Sequence, residues 1–582
     1  MAQFDILLRG GTVVDGTGRD RFVADVGIRD GVIARIGTIA ADSAKKVIDV
    51  RGQIVAPGVI DLHTHYEAQL HWDPYLTPSG WHAVTTAVVG NCGHGLAPVR
   101  PGMKDRYMRM LENTEQIQYE SMAKALPWNW ETFPEFLDHL RSIPKGVNIA
   151  TFLPVNPLLS YVMGPDEAKR RPATESERAE MRALLHEAMD AGACGFGLSF
   201  LGANGNSHVD FDGTAMPCDV MAEEDIYNLC DVLRERDEGV IQLLCELPGG
   251  TVRRDVAEKM ARRSLRPVIH TVTMGVEGSP EIHREQLAWL DDAASRGLSL
   301  YSQAMSSRHW QEFCVLDYNV WDVYPDFRAI STATTVEEKI AVLQDEDRRA
   351  RIRGFYNGPD MAGQTGMALE GCILTNACDD PVFGKYKEWH LQEIAQDRGQ
   401  ALTDTLFDIM IATRMGAEFC YEESSGADPE QCAEMLRNPR ILPGTSDGGA
   451  HNKFFSGGHW STDVILWMTK ETNHFTLEEV HRLLNAHTSE VFGFRNRGLL
   501  KEGYAADIMV YDYDTLHFKR KRYLKVYDMP DGSWRRVTKP TGITYILVNG
   551  HITFVNGDCT GATPGLVVSN TDHDPTLALA AE

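Results

Sequence analysis

Residues 55–68 read VAPGVIDLHTHYEA and set two imidazoles, His63 and His65, two positions apart at the end of an apolar run. Alternate side chains of a strand share a face, so a His-x-His pair at its carboxyl end aims both rings at one point. Two convergent neutral imidazoles suit a divalent transition metal. A second stretch, ILPGTSDGGAH, places Asp447 among glycines with His451 four residues on. An aspartate in a glycine-rich turn is ordinarily a turn-former. At the end of a strand that matches the place of His63 and His65, it becomes a candidate ligand and proton carrier.

These positions make demands on the elements that hold them. Residues 54–60, IVAPGVI, form the near-continuous apolar run of a strand buried on both faces, as in parallel α/β sheets. The run extends to 54–62, and seven others follow at 84–91, 147–153, 193–199, 239–245, 266–272, 297–303 and 440–446. Amphipathic helices are predicted over 174–191, 222–237, 282–296 and 476–487. Eight strands with intervening helices predict an α/β fold, a (β/α)8 TIM-type barrel over residues 56–495 with its active site at the strand carboxyl ends.

The two ends of the chain read differently. Short alternating β runs split by glycine turns occupy 4–50 and return over 506–558. They predict a small β-sandwich domain from residues 1–55 and 496–582, with a loose tail from about Ser569. Residues 304–439 are too long for one crossover and read as an insertion, a lid or wall over the strand ends, with helices at 334–352 and 386–413.

The formal net charge of −25 and pI near 5.2 exclude nucleic acid and anionic membrane as partners, since both need basic surfaces. No apolar run approaches the roughly 20 residues of a membrane span, and the first residues lack a signal-peptide pattern, so a cytoplasmic location is expected. Eleven cysteines without CxxC spacing make neither a disulfide framework nor a structural zinc site. A homo-oligomer is left open.

Five segments, FDILLRGGTVVDGTG, PGVIDLHTH, VVGNCGHGLAP, GTSDGGAH and RGLLKEGYAADIMVYD, together resemble the amidohydrolase superfamily and within it the N-acyl-D-amino-acid deacylase (D-aminoacylase-like) branch. The similarity touches both ends and the middle of the chain. It implies a metal-dependent hydrolase on a TIM-type barrel, with a β-sandwich made from the termini. It further implies that His63 and His65 bind the metal, that Cys92 of the GNCG motif adds a thiolate, and that Asp447 binds metal and moves protons. Read without the resemblance, Cys92 is a buried apolar filler.

Zinc takes imidazole, thiolate and carboxylate ligands, and a catalytic site leaves one position for water whose pKa falls to about 7. That water would attack an amide carbonyl, with Asp447 taking its proton and returning it to the departing nitrogen. His451 would hydrogen-bond the developing oxyanion or orient the loop. The expected substrate is a small amide, an N-acyl amino acid or a relative of one.

The chain departs from the branch on several strands. Where the fifth strand should carry a histidine it reads VIQLLCELPGG, with Cys245 and Glu246 at that place, and the sixth reads PVIHTVTM, offering His270 or Thr271. The third-strand region, FLPVNPLLSYVMG, lacks the usual Gly-His and arginine, and ACGFGLSF on the fourth carries no lysine to bridge two metals. One tightly held zinc is therefore expected, with His270 or Glu246 serving a weaker second position. Loss of the arginine forks leaves a different target bond as the alternative: a cyclic amide, carbamate, ester or activated C–C bond. A non-catalytic scaffold is the remote alternative.

Other residues carry two readings each. Asp61 shares the strand face of His63 and His65 and would support a ligand or the floor of the fold. His94 and His208 fall on predicted loops and read as loop residues before ligands. Trp72, Trp81, Trp310, Phe454, Phe455 and Trp460 would line an acyl pocket or simply pack.

Overall fold

The apolar run at 54–62 does not make one strand. Ile54–Pro57 pairs antiparallel with Ile508–Tyr511, whereas Val59–Asp61 pairs parallel with Val84–Val89. The break falls at Gly58, where the backbone runs against Thr85: a Cβ there would lie 2.2 Å from Thr85 Cγ2. One predicted strand is thus shared between two sheets. The computed structural model describes residues 3–203, 209–245, 253–316, 321, 324–357, 368–421 and 426–571.

Val59–Asp61, Val84–Val89 and Asn148–Thr151 form a three-stranded parallel sheet. Leu153–Pro154, Gly195–Ser199, Val240–Leu244, Val268–Thr273, Leu300–Met305 and Ile441–Gly444 form a six-stranded parallel sheet in that order. Asn148–Thr151 runs almost directly into Leu153–Pro154, and a parallel bridge from Thr64 to Gly448 links the opposite edges. Every residue of these strands except Tyr301 and Met305 is buried, which is why they read as apolar runs rather than alternating ones.

Helices between the strands follow their predicted spans closely. Glu175–Asp190 opens on a capping box in which Thr174 and Glu177 satisfy each other's backbone N–H, and Glu223–Arg236 and Glu281–Ser295 follow later strands. The expected helix at 334–352 is two, Val336–Gln344 and Glu346–Tyr356, because Asp345 accepts from the Asp347 and Arg348 amides and starts the second. The expected helix at 386–413 divides into Leu391–Arg398 and Leu402–Ala412 around Gly399, which has φ +61°.

Strands from both chain ends share a nine-stranded mixed sheet, in which Phe4–Val13 is flanked by Phe22–Arg29 and Ile54–Pro57 and also pairs with Ala44–Asp49. Within the long insertion, Gln311–Phe313, Glu418–Tyr421 and Cys372–Asn376 make a small antiparallel sheet with a hydrophobic core of its own, including Phe313, Phe407 and Phe419. The expected loose tail is tied down at its start: Ser569 is buried, and Asn570 Nδ2 donates to Phe492 O at 2.9 Å. Among the described residues no helix is long and apolar enough to cross a membrane.

Candidate metal centre

His63 and His65 follow Val59–Asp61 directly, and both rings are buried. His63 Nε2 lies 3.4 Å from Cys92 Sγ and 3.6 Å from Asp447 Oδ1, while His65 Nε2 lies 3.2 Å from the same carboxylate oxygen. Ligands bound to one zinc at its usual lengths to N, O and S lie roughly 3.3–3.7 Å apart, and these three separations are close to that range. His63 Nδ1 is 2.8 Å from Gln303 Oε1. An amide oxygen only accepts, so the ring proton sits on Nδ1 and leaves the Nε2 lone pair for a metal.

Two glycine-bearing turns bring the other donors in. Gly90 has φ +85°, and a Cβ on it would meet Phe152 O at 2.5 Å. The turn that follows holds Cys92 at φ 54°, with its N–H donating to Gln242 Oε1 at 2.7 Å. Asp447 N and Ser446 Oγ both donate to His63 O, and His65 N donates to Gly448 O at 2.7 Å, so the GTSDGGAH turn is laced to the histidine strand. Thr445, Asp447 and His451 all have positive φ, a sparsely populated region for non-glycine residues that costs of order 1 kcal/mol each and clusters at functional sites.

The electrostatics select a cation. Burial pushes the Cys92 thiol up to about 12, so Cys92 acts as a thiolate ligand only beside a positive ion. Burial likewise lowers His63 to about 4, keeping it neutral and able to bind. Burial works to raise Asp447, but hydrogen bonds from His451 and His65 outweigh it and hold the carboxyl well below the usual carboxylate range. Two imidazoles, a thiolate and a carboxylate fit a zinc-type ion. Asp447 and His451 retain 27% and 23% side-chain exposure where the other donors have almost none, so this pair faces the opening.

The structure therefore brings together His63, His65, Cys92 and Asp447, with His451 Nε2 3.2 Å from Asp447 Oδ2. It does not bring in His270. That ring turns to the outer side of its strand, edge-on to Trp289 of the Glu281–Ser295 helix and 3.1 Å from Ser302 Oγ. The inward residue is its neighbour Thr271, whose hydroxyl donates to Gln303 Oε1 at 2.7 Å. On the fifth strand the side chains facing Cys92 are Gln242 and Leu244, while Cys245 joins the outer core; Glu246 and His208 lie outside the described residues.

Two residues enter that spacing did not favour. His94 Nε2 lies 3.4 Å from Glu115 Oε1, and Glu115 Oε2 lies 3.7 Å from His65 Nε2. No motif marks Glu115; the only hint is an acid in the last turn of a helix, where the dipole disfavours it. Asp61 accepts from the His63 N–H and from the Trp460 indole, so it ties the strand to the start of the Trp460–Ile465 helix. Trp310 and Trp460 are fully buried, Phe454 packs in the insertion core, and Trp72 and Trp81 pack against the main core. Phe455 is partly exposed, its ring 6.5 Å between centroids from that of His451.

Comparison with known proteins bears on this geometry. The amidohydrolase family matches residues 46–206 and 389–554, and N-acyl-D-aspartate deacylase of Alcaligenes xylosoxydans xylosoxydans is 34% identical over 99% of this chain and 97% of its own. The chain belongs to the amidohydrolase family. The stretch between the two matched segments takes in much of the insertion, including the Cys372–Asn376 strand. N-acyl-D-glutamate deacylase of the same organism is 32% identical over 95% of this chain and 94% of its own. A solved D-aminoacylase shares the fold with TM-score 0.64 at 24% identity, covering 97% of this chain and 100% of that one. N-acyl-D-glutamate deacylase from Bordetella bronchiseptica, solved with zinc and a phosphonate inhibitor, gives 0.62 at 23%, covering 97% and 99%. This amidohydrolase is a metal-dependent hydrolase acting on carbon–nitrogen bonds other than peptide bonds.

Proposed function

We propose that this amidohydrolase is a deacylase that uses a single zinc ion to cleave the amide of an N-acyl amino acid, with D-configured substrates first in line. The observation that carries the reading is the convergence of Cys92 and Asp447 on the His63 and His65 imidazoles, with Cys92 Sγ 3.4 Å from His63 Nε2 and Asp447 Oδ1 3.6 and 3.2 Å from His63 and His65 Nε2. Overall likeness to three deacylases supports the bond class. We infer, too, that the two parallel sheets close through the Thr64–Gly448 bridge into one eight-stranded barrel, with the nine-stranded sheet of the chain ends as its second domain.

His63, His65, Cys92 and Asp447 would hold the zinc, which when bound lowers the pKa of a water molecule to about 7 and polarises a carbonyl. The protein's own part is positioning and proton movement. Gln303 and the buried walls fix His63, and Gln242 fixes the Cys92 backbone. Asp447, deprotonated and facing the opening, takes a proton at its carboxylate and delivers it to the departing nitrogen. His451 donates to that carboxylate and keeps it ionised between turnovers. Gln242 and Thr271 occupy the inward positions of the fifth and sixth strands with neutral hydrogen-bonding groups, which favours one metal over two.

Zinc-loaded protein should release free amino acid from N-acetyl-D-aspartate, N-acetyl-D-glutamate or a neutral N-acyl-D-amino acid in preference to the L forms. Asp447→Asn should lower kcat by about 10²–10⁴ with the fold retained. A zinc-loaded enzyme that releases no amine from any N-acyl amino acid of either hand overturns the substrate class.

A further inference from the structure

We propose that Glu115 is a protein ligand of the metal ion, taking the part that inward histidines on the fifth and sixth strands would otherwise play. The proposal rests on the metal-centre reading above. Glu115 ends the Lys104–Glu115 helix, and its side chain is 2% exposed. Its Oε2 lies 3.7 Å from His65 Nε2, and His65, Glu115 and Asp447 offer three donor atoms all within 4.8 Å of one another. Its Oε1 lies 3.4 Å from His94 Nε2 and accepts no hydrogen bond among the described residues.

The placement makes chemical sense only with a cation near it. A carboxylate in the last turn of a helix meets the negative end of the dipole. Burial removes the water that would otherwise solvate it, and Asp447 brings a second carboxylate alongside. Among the described residues the ion-pair contacts of Glu115 are all imidazoles, those of His65, His94 and His451. A divalent ion among these groups balances both acids at once. The backbone is built to hold the arrangement: His451 N donates to Glu115 O at 2.6 Å, tying the helix end to the Asp447 turn. Gln242 and Thr271, by contrast, are spent on each other and on the Cys92 amide, and neither is a usual zinc ligand.

The test compares full-length wild type, Glu115→Gln and Cys92→Ser, each loaded with Co²⁺ or Zn²⁺. It reads metal per chain, the Co²⁺ absorption spectrum, affinity by chelator competition, and melting temperature with and without metal. Glu115→Gln should alter the visible ligand-field bands, keep the near-ultraviolet thiolate band, and loosen the metal at least about tenfold. Metal-free Glu115→Gln should melt at or above metal-free wild type, because a buried charge beside Asp447 has been removed. Unchanged bands and affinity overturn Glu115 as a ligand and leave the centre standing. A metal-free variant that melts below metal-free wild type assigns Glu115 to the fold instead and overturns the proposal. Wild type that takes up no metal, or a thiolate band that survives Cys92→Ser, overturns the centre and this inference with it.

Discussion

At the scale of single residues, Gln303 shows how a neutral side chain can govern a metal ligand. Its Oε1 meets His63 Nδ1 at 2.8 Å and also accepts from Thr271 Oγ1 at 2.7 Å, so the amide oxygen is pinned from two sides. Gln303→Leu removes the acceptor, leaves a buried N–H without its partner, and frees the ring to rotate. Metal affinity should fall about 10- to 100-fold by chelator competition. An affinity equal to wild type would mean that packing alone orients His63. The sequence announces His63 and His65 because both ligands and their spacing lie in one short segment at the end of a strand. It is silent on Gln303 and Glu115, whose importance comes from partners 240 and 50 residues away in the chain, brought near by the fold.

At the scale of elements, strands were legible because burial on both faces leaves a continuous apolar signature, and helices because their stripes and caps are local. What a continuous apolar run withholds is which face each residue takes. His270 and Thr271 are adjacent, so a one-residue uncertainty sends the imidazole outward to Trp289 and a hydroxyl inward to Gln303. The same limit holds on the fifth strand, where Gln242 faces the Cys92 amide and Cys245 joins the outer core. Turns are more explicit, since glycine states its own reason. Gly449 has φ +93°, and a Cβ on it would lie 2.6 Å from His65 O. Gly449→Ala must push the Asp447 turn off the histidine strand as well as bear the unfavourable φ. The expected outcome is a loss of both metal affinity and turnover larger than the loss of melting temperature would explain. A variant with wild-type metal content and kcat would show that the turn tolerates displacement.

At the scale of the molecule, the β-rich ends are legible as a pair, but the joint that fastens them to the parallel strands is not. That joint is a buried polar network. Arg497 Nη1 donates to Asp507, and Asp507 also accepts from Asn148 Nδ2 at 3.1 Å and from the Asn549 N–H at 2.7 Å. Asn549 Nδ2 in turn donates to Asn148 Oδ1 at 2.7 Å, so the strand Asn148–Thr151 is linked to the turn after Ile543–Val548. Arg497 and Asp507 are 1% and 5% exposed, which places the pair out of reach of solvent screening. Removing one member of a buried pair leaves the other charge uncompensated, and Asp507→Ala should cost about 3–5 kcal/mol. Asp507→Asn, which keeps an acceptor for Asn148 but not the charge, should cost less. Urea unfolding followed by both tryptophan fluorescence and far-ultraviolet circular dichroism checks this. If the chain ends and the parallel strands are one cooperative unit, the midpoint of Asp507→Ala drops and the two probes still coincide. If the probes separate in the variant, the network is what couples two units that otherwise unfold independently, and an unchanged midpoint would remove it from the joint altogether.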